Sequence, residues 1–121
     1  MGYRSDVLAL FYPEPGVADG DSTFSAFKLL MNTRFKEVLD VFSESFTWHN
    51  DVLEFRCNDV KWYPSYSDVQ AFEAMVCAIE EMDIGIAVET CRIGEGYGDI
   101  EIDTYGDADY RIEVVREAHW S

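Results

Sequence analysis

The sequence is poor in basic residues. Its 121 residues include only 9 lysines and arginines against 24 aspartates and glutamates, which gives a formal net charge of −15. A nucleic-acid-binding domain needs a basic surface to neutralise phosphates, so this balance argues against nucleic acid as a ligand. The charge also exceeds the roughly 2 to 8 units that keep a small domain soluble. The excess predicts a role for the charge itself; a halophile's protein or a merely very soluble one is the alternative.

Other features that define protein classes are also scarce. No apolar run approaches the roughly 20 residues that a membrane span requires, and the N-terminus does not form a signal peptide. We therefore expect a cytoplasmic protein with no membrane partner. The spacings of Cys57, Cys77 and Cys91 match no zinc or redox motif. We expect all three cysteines to be small apolar residues on buried faces.

No residue pattern indicates an enzyme. The histidines, His49 and His119, accompany no nucleophile with a base and an orienting group. The GEGYG run at 94–98 lacks the spacing of a dinucleotide fingerprint and the lysine of a P-loop. The DIEID run at 99–103 lacks the glycine of an EF-hand loop, and its alternation aims carboxylates in parallel. We therefore expect no catalytic, cofactor-binding or metal-binding residues, and no cofactor.

The pattern of apolar residues predicts one acidic α+β domain over 1–121, with a mostly antiparallel sheet and two helices packed on one face. Strands are expected at 3–12, 46–49, 52–57, 84–93, 99–103 and 110–115, and 60–63 continues the sheet or forms another strand. Helices are expected over 22–45 and 67–82. Ser22 or Thr23 would cap the first helix, and Ser67 with Gln70 would form a capping box on the second. The expected helical core comprises Phe27, Met31, Phe35, Phe72, Val76 and Ile79.

The negative charge is concentrated in one part of the chain. Residues 62–110 contain 12 acids and one base, Arg92. In a strand over 99–103, Asp99, Glu101 and Asp103 share one side, with their carboxylates about 7 Å apart. Phosphates along a nucleic-acid strand have a comparable spacing, so such a row can stand in for phosphates. The predicted partner-binding residues are Glu73, Glu80, Glu81, Asp83, Glu95, Asp99, Glu101, Asp103, Asp107 and Asp109.

Two alternatives to this interpretation stay open. The acidic row is also typical of a solvated strand face. If Arg92, Arg111 and Arg116 pair with these acids, the DNA-mimic interpretation loses its basis, and Arg111 is the main candidate because the last predicted strand would lie beside the row. The aromatic segment at 62–66 either packs at the edge of the core or contacts a partner through Trp62, Tyr63 and Tyr66.

Three stretches resemble small acidic proteins that bacteriophages use to take over their hosts. They are MGYRSDV at 1–7, VKWYPSYSDVQAFEAM at 60–75 and RIGEGYGDIEIDTYGD at 92–107. Within that group the chain is most similar to the Igy family of phage-encoded inhibitors of bacterial DNA gyrase. The resemblance implies a DNA mimic that occupies the DNA-binding surface of a host enzyme, gyrase by preference, in the host cytoplasm. An anti-CRISPR or anti-restriction mimic, and an acidic adaptor that binds a basic protein without blocking DNA, are the alternatives.

Overall fold

The computed structural model describes residues 2–112. In chain order its elements are β1 (Ser5–Pro13), α1 (Gly20–Thr33), α2 (Lys36–Val41), β2 (Phe46–Trp48), β3 (Leu53–Val60), α3 (Ser67–Met82), β4 (Ile86–Gly94) and β5 (Ile100–Tyr105). The strands form one sheet in the order β2-β3-β1-β4-β5, and every neighbouring pair is antiparallel. The predicted α+β class is therefore confirmed. No helix within this range is long and apolar enough to cross a membrane.

The core lies between the helices and one face of the sheet. Alternate residues of the central strand β1, namely Val7, Ala9 and Phe11, are buried there because side chains alternate across a strand. The helices supply the opposite side with Phe24, Phe27, Met31, Val38, Phe72, Met75, Val76 and Ile79. Five of the six residues expected in the helical core are buried, and the sixth, Phe35, is partly buried against it.

The helix expected over 22–45 is two helices, α1 and α2, and residues 42–45 form a turn instead of continuing the helix. The Asn32 amide donates to the Lys28 carbonyl at 2.8 Å, and the Thr33 hydroxyl donates to the Leu29 carbonyl at 2.8 Å. Side-chain bonds of this kind compete with the helical ladder. The apolar period continues across the break, which is why the sequence alone predicted one helix. The second predicted helix, 67–82, coincides with α3.

The caps of both helices differ from the prediction. Asp19 caps α1 in place of the expected Ser22 or Thr23, and its carboxylate accepts the Ser22 N–H at 3.1 Å. Hydrogen bonds from the Ser22 backbone and hydroxyl lower the pKa of Asp19. Ser67 is the first residue of α3, and the Gln70 side chain donates to a carbonyl outside the helix at 3.0 Å instead of closing a capping box.

The strand ends are shifted by up to three residues from the prediction, and β5 begins at Ile100, so Asp99 precedes the strand. Two larger differences remain. β3 ends at Val60, so residues 61–63 are not part of the sheet. Residues 110–112, the start of the last predicted strand, are irregular. The rest of that predicted strand, 113–115, lies outside the described residues, as do Arg116 and His119.

Candidate functional site

The edge strand β5 carries most of the acidic row predicted over 99–103. Within the described residues it pairs only with β4, in a register that sets Glu101 opposite Arg92. Glu101 and Asp103 line a groove on the side of the sheet that faces α3. Ile102 lies on the other side and is half exposed. The alternation predicted from the sequence therefore places these two carboxylates on one side.

Arg92 holds the first two carboxylates of the row. Its Nη2 donates to Asp99 Oδ1 at 2.8 Å and to Glu101 Oε1 at 2.9 Å, and its Nη1 donates to Ser5 Oγ at 3.0 Å. The carboxylates of Glu101 and Asp99 raise the pKa of Arg92 above its ordinary value, so the guanidinium stays charged. The row of three carboxylates therefore carries a net charge of two rather than three.

A second set of contacts fixes Asp99 from the opposite side. The Tyr3 hydroxyl donates to the Asp99 carboxylate and accepts the Gly96 N–H at 2.7 Å. A Cβ at Gly94 would overlap both the Asp99 carboxylate and the Tyr3 hydroxyl, so the close approach requires glycine at this position. Asp99 is consequently a structural residue of the β4–β5 hairpin.

The remaining carboxylates gather around the groove between α3 and β5, which has a volume of about 340 Å³. Glu73 and Cys77 of α3 form one wall, and Glu101, Asp103 and Tyr105 of β5 form the other. The apolar part of the lining is made by Val7, Trp62, Phe72 and Val76, and Thr90 and Arg92 of β4 also line the groove. We call this feature the α3–β5 groove. It brings Glu73 together with Glu101 and Asp103.

Tyr105 responds to the negative charge of this groove. Burial raises the pKa of its hydroxyl, and the charges of Asp103, Cys77, Glu80 and Glu73 raise it further. Glu80 therefore belongs to the same anionic neighbourhood, one α3 turn beyond the groove wall. Within residues 2–112 no basic nitrogen lies within 4.0 Å of the carboxylates of Glu73, Glu80 or Asp103.

The other predicted partner-binding residues lie away from the groove. Glu81 is exposed near the end of α3, and Asp83 is the residue that ends this helix. Glu95 lines a shallow cavity with basic residues of the N-terminal segment and of the stretch after β3. Asp107 and Asp109 follow β5, and Asp109 pairs with Arg111 at 3.4 Å. Three of the ten acids, Glu73, Glu101 and Asp103, therefore line the groove, Glu80 lies one helical turn beyond it, and the others are at separate positions.

Sequence reasoning missed Glu89, a carboxylate that is only 1% exposed. It accepts the Tyr12 hydroxyl, the Arg111 N–H at 2.9 Å and the Ile112 N–H at 3.0 Å. Burial alone would raise the pKa of Glu89, but these hydrogen bonds outweigh it and hold the pKa below its ordinary value. Burial and the bond to Glu89 raise the pKa of Tyr12 to about 12.

The Glu89 cluster holds the segment after β5 against the face of the sheet that the helices leave open. The Arg111 guanidinium lies 3.8 Å from the Tyr12 ring centroid, within cation–π range. Arg111 therefore lies on this other face and does not pair with Glu101 or Asp103. The sequence did contain a signal for this cluster, because Glu89 is the only carboxylate within the apolar strand predicted over 84–93.

The aromatic segment at 62–66 is divided between the core and the surface. Trp62 packs on Phe72 with ring centroids 5.5 Å apart and belongs to the edge of the core. Tyr63 packs on Tyr66 at 5.1 Å, and Tyr66 is 40% exposed. The interpretation as core-edge packing therefore holds for Trp62.

The cysteines are free thiols in different environments. Cys91 is buried and Cys57 is half-buried, and burial raises the pKa of both. Cys77 is exposed on the groove wall, so the expectation that all three are buried was wrong for this residue. Cys77 lines the α3–β5 groove together with residues of β5. Among residues 2–112 no three His, Cys, Asp or Glu side chains are grouped to hold a metal ion.

Comparisons with known proteins returned no relative. No protein-family model matches the chain, and neither curated proteins nor solved structures gave a significant match. The resemblance to phage-encoded proteins therefore stays a prediction from three stretches of sequence.

Proposed function

We propose that this protein is a phage-encoded DNA mimic that inhibits a host enzyme by occupying its DNA-binding surface, with bacterial DNA gyrase as the preferred target. The observation that carries the proposal is the α3–β5 groove with its surroundings: the carboxylates of Glu73 and Asp103, which line it, and of Glu80, on the next turn of α3, have no basic partner among residues 2–112. Carboxylates on a helix and a strand are held more rigidly than on loops. Such a surface suits a channel lined by lysine and arginine.

The mechanism is competition for one basic surface. The net charge of −15 attracts a positively charged channel over long distances and speeds the encounter. At contact, carboxylates that face arginines form the charge-assisted hydrogen bonds that phosphates would otherwise form. The mimic needs no base-like features, because most contacts to duplex DNA go to its phosphates and sugars.

The ion pairs of Arg92 change which residues carry the proposed contact. Asp99 and Glu101 already share one guanidinium, so they offer a partner less charge than the sequence suggested. Asp103, Glu73 and Glu80 become the main contact residues. Glu81, Asp83, Glu95, Asp107 and Asp109 contribute to the long-range field.

The same pairing favours a second candidate, an acidic adaptor that binds a basic protein without blocking DNA. A regular row of phosphate-like charges is what separates a mimic from a generally acidic binder, and Arg92 interrupts that row. An anti-CRISPR or anti-restriction mimic follows the same physics as the first candidate and differs only in its target.

Gyrase supercoiling, measured together with DNA binding by the enzyme, tests the proposal. A mimic inhibits supercoiling and releases DNA from the enzyme, and excess duplex relieves the inhibition. An adaptor that inhibits supercoiling while the enzyme still holds DNA contradicts the mimic. No effect on gyrase, with a CRISPR or restriction complex blocked instead, would show that the target is wrong.

Matched charge variants connect the inhibition to the groove. The groove variant is Glu73→Gln/Glu80→Gln/Asp103→Asn, and the control is Asp21→Asn/Glu44→Gln/Asp51→Asn, whose three sites are exposed and lie outside the acidic segment. Both remove three negative charges. We expect the groove variant to associate with the target more slowly than the control, because lost electrostatic steering lowers the association rate. If both variants slowed association equally, the net charge of the protein, and not the groove, would explain the inhibition.

A further inference from the structure

The α3–β5 groove combines two features that an ordinary solvated acidic face lacks. Part of its lining is apolar, with Phe72 and Val76 at 3% and 4% exposure beside Trp62, whereas Thr90 and Arg92 line its β4 side. Its walls carry Glu73 on one side and Asp103 on the other. A long side chain with an aliphatic stem and a cationic end matches both features, because its stem can cover apolar surface while its charge reaches a carboxylate.

From this combination we infer that the groove is a receptor for a single arginine side chain of a basic protein partner. The inference rests on the proposed function, since it names the group on the partner's surface that the site takes up. The stem would lie over Val76 and the edge of Trp62. The guanidinium would lie between Glu73 and Asp103. The volume of about 340 Å³ is at the lower end of the range for small-ligand sites, roughly 300–1,000 Å³, and is sufficient for one side chain.

The chain itself shows how this site holds a guanidinium. Arg92 lies at the β4 side of the same groove, where its Nη2 bridges Asp99 and Glu101 at 2.8 and 2.9 Å. Glu73 and Asp103 line the same groove, and neither carboxylate pairs with a basic side chain among residues 2–112. A guanidinium offers five donors in a plane and pairs with two carboxylates at once, which an ammonium group does not do in the same geometry.

Tyr105 and Trp62 favour arginine over lysine as the occupant. Both aromatic side chains line the groove, and a guanidinium stacks on aromatic faces while it remains hydrogen bonded. A lysine gains the charge attraction and loses the planar contact. The groove should therefore distinguish between two partners of equal charge, which a diffuse acidic surface does not.

Binding of an oligo-arginine peptide and an oligo-lysine peptide of equal length to the full chain tests this inference. We expect the arginine peptide to bind more tightly and to shift the amide NMR signals of residues lining the groove. Glu73→Gln/Asp103→Asn should weaken it by roughly tenfold, the equivalent of about 1.4 kcal/mol. The charge control Glu44→Gln/Asp51→Asn should weaken both peptides alike and by less.

A steric variant separates the groove from charge. Cys77→Trp fills the groove without changing the net charge, and Cys77 is exposed, so the fold tolerates the change. We expect it to abolish the preference for arginine, whereas Ala74→Trp, on an exposed α3 position outside the groove, keeps it. Circular dichroism and thermal unfolding of each variant confirm that it is folded.

Three results would overturn the inference. Equal affinity for the two peptides, or full arginine preference in folded Cys77→Trp, would mean that the groove does not receive a guanidinium. Tight binding of free arginine or of a small guanidinium compound in place of the peptide would mean a small-molecule site. The proposed function is tested separately. Gyrase inhibition that survives Cys77→Trp would contradict the arginine site and leave the DNA-mimic proposal standing. Arginine-selective binding without gyrase inhibition would support the arginine site and contradict gyrase as the target.

Discussion

Replacing Glu89 with glutamine is expected to destabilise the fold, although the side chain keeps its shape. The buried Glu89 carboxylate accepts hydrogen bonds from the Tyr12 hydroxyl and from the N–H groups of Arg111 and Ile112 at 2.9 and 3.0 Å. Glutamine has one acceptor oxygen in place of two, so its NH₂ group must face one of these donors. One hydrogen bond is lost, and the remaining bonds are weaker because their acceptor is a neutral amide oxygen instead of a carboxylate.

The expected cost follows from the number of bonds affected. A hydrogen bond to a charged group contributes about 1.5–3 kcal/mol, and a neutral one contributes about 0.5–1.5 kcal/mol. Losing one hydrogen bond and weakening two others lowers the free energy of unfolding, and this loss is partly offset because glutamine buries no charge. The expected net loss is about 3 kcal/mol. For a chain of this size that lowers Tm by about 10 °C. Urea unfolding and a thermal scan at pH 7 measure both quantities, and a loss under about 0.5 kcal/mol would refute the reasoning.

The pH dependence supplies an independent check on the same residue. The pKa of Glu89 is lowered, because its hydrogen bonds outweigh burial. Such a carboxyl stabilises the fold above its unfolded pKa of about 4.3, and this contribution disappears as the pH falls through the lower folded pKa. The difference in free energy of unfolding between wild type and Glu89→Gln should be full at pH 7 and shrink below about pH 4. A constant difference would mean that Glu89 is not ionised in the fold. The exposed Glu81→Gln serves as the control.

Three further substitutions test other contacts by thermal and urea unfolding. Gly94→Ala places a methyl group against Asp99 and should cost about 1–3 kcal/mol, whereas Gly16→Ala, with open space around it, should be nearly neutral. Arg92→Gln leaves two carboxylates without their guanidinium and should cost about 2 kcal/mol at pH 7 and less in acid; a pH-independent cost would contradict this. Phe72→Ala opens a cavity at a 3% exposed position and should cost about 3–5 kcal/mol. A small loss there would mean that the core collapses around the gap.

The sequence predicted most of the secondary structure because periodicity is a local property. The apolar stripe of α3 and the alternation around Ile100 and Ile102 depend only on neighbouring residues. The break between Thr33 and Lys36 escaped the prediction because the apolar period does not change there. Side-chain bonds that compete with the helical ladder lie next to this break, and the adjacent Asn32 and Thr33 were the signal available in the sequence.

The charge pattern of the site was predictable in part. Acid density along 62–110 located the groove walls, but the pairing of Arg92 with Glu101 depends on the register of the β4–β5 hairpin. That register could have been predicted from the sequence, because both residues lie at similar distances from the glycine-rich turn at 94–98. The partners of Glu89 were not accessible. One partner, Tyr12, lies 77 positions earlier on β1, and the other two lie 22 and 23 positions later in a segment whose packing nothing local fixes.

The two acidic features lie on opposite faces of the sheet, which makes stability and binding separable. Glu89 and Thr90 are neighbours on β4, so their side chains point to opposite sides: Glu89 to the segment after β5, Thr90 to the groove. Glu89 is buried and fully hydrogen bonded, so its charge contributes to folding and is inaccessible to a partner. The exposed groove carboxylates repel one another in the free protein. Neutralising them should therefore leave stability unchanged or raise it slightly while it weakens binding. A groove variant that loses both stability and partner binding would show that those carboxylates also stabilise the fold.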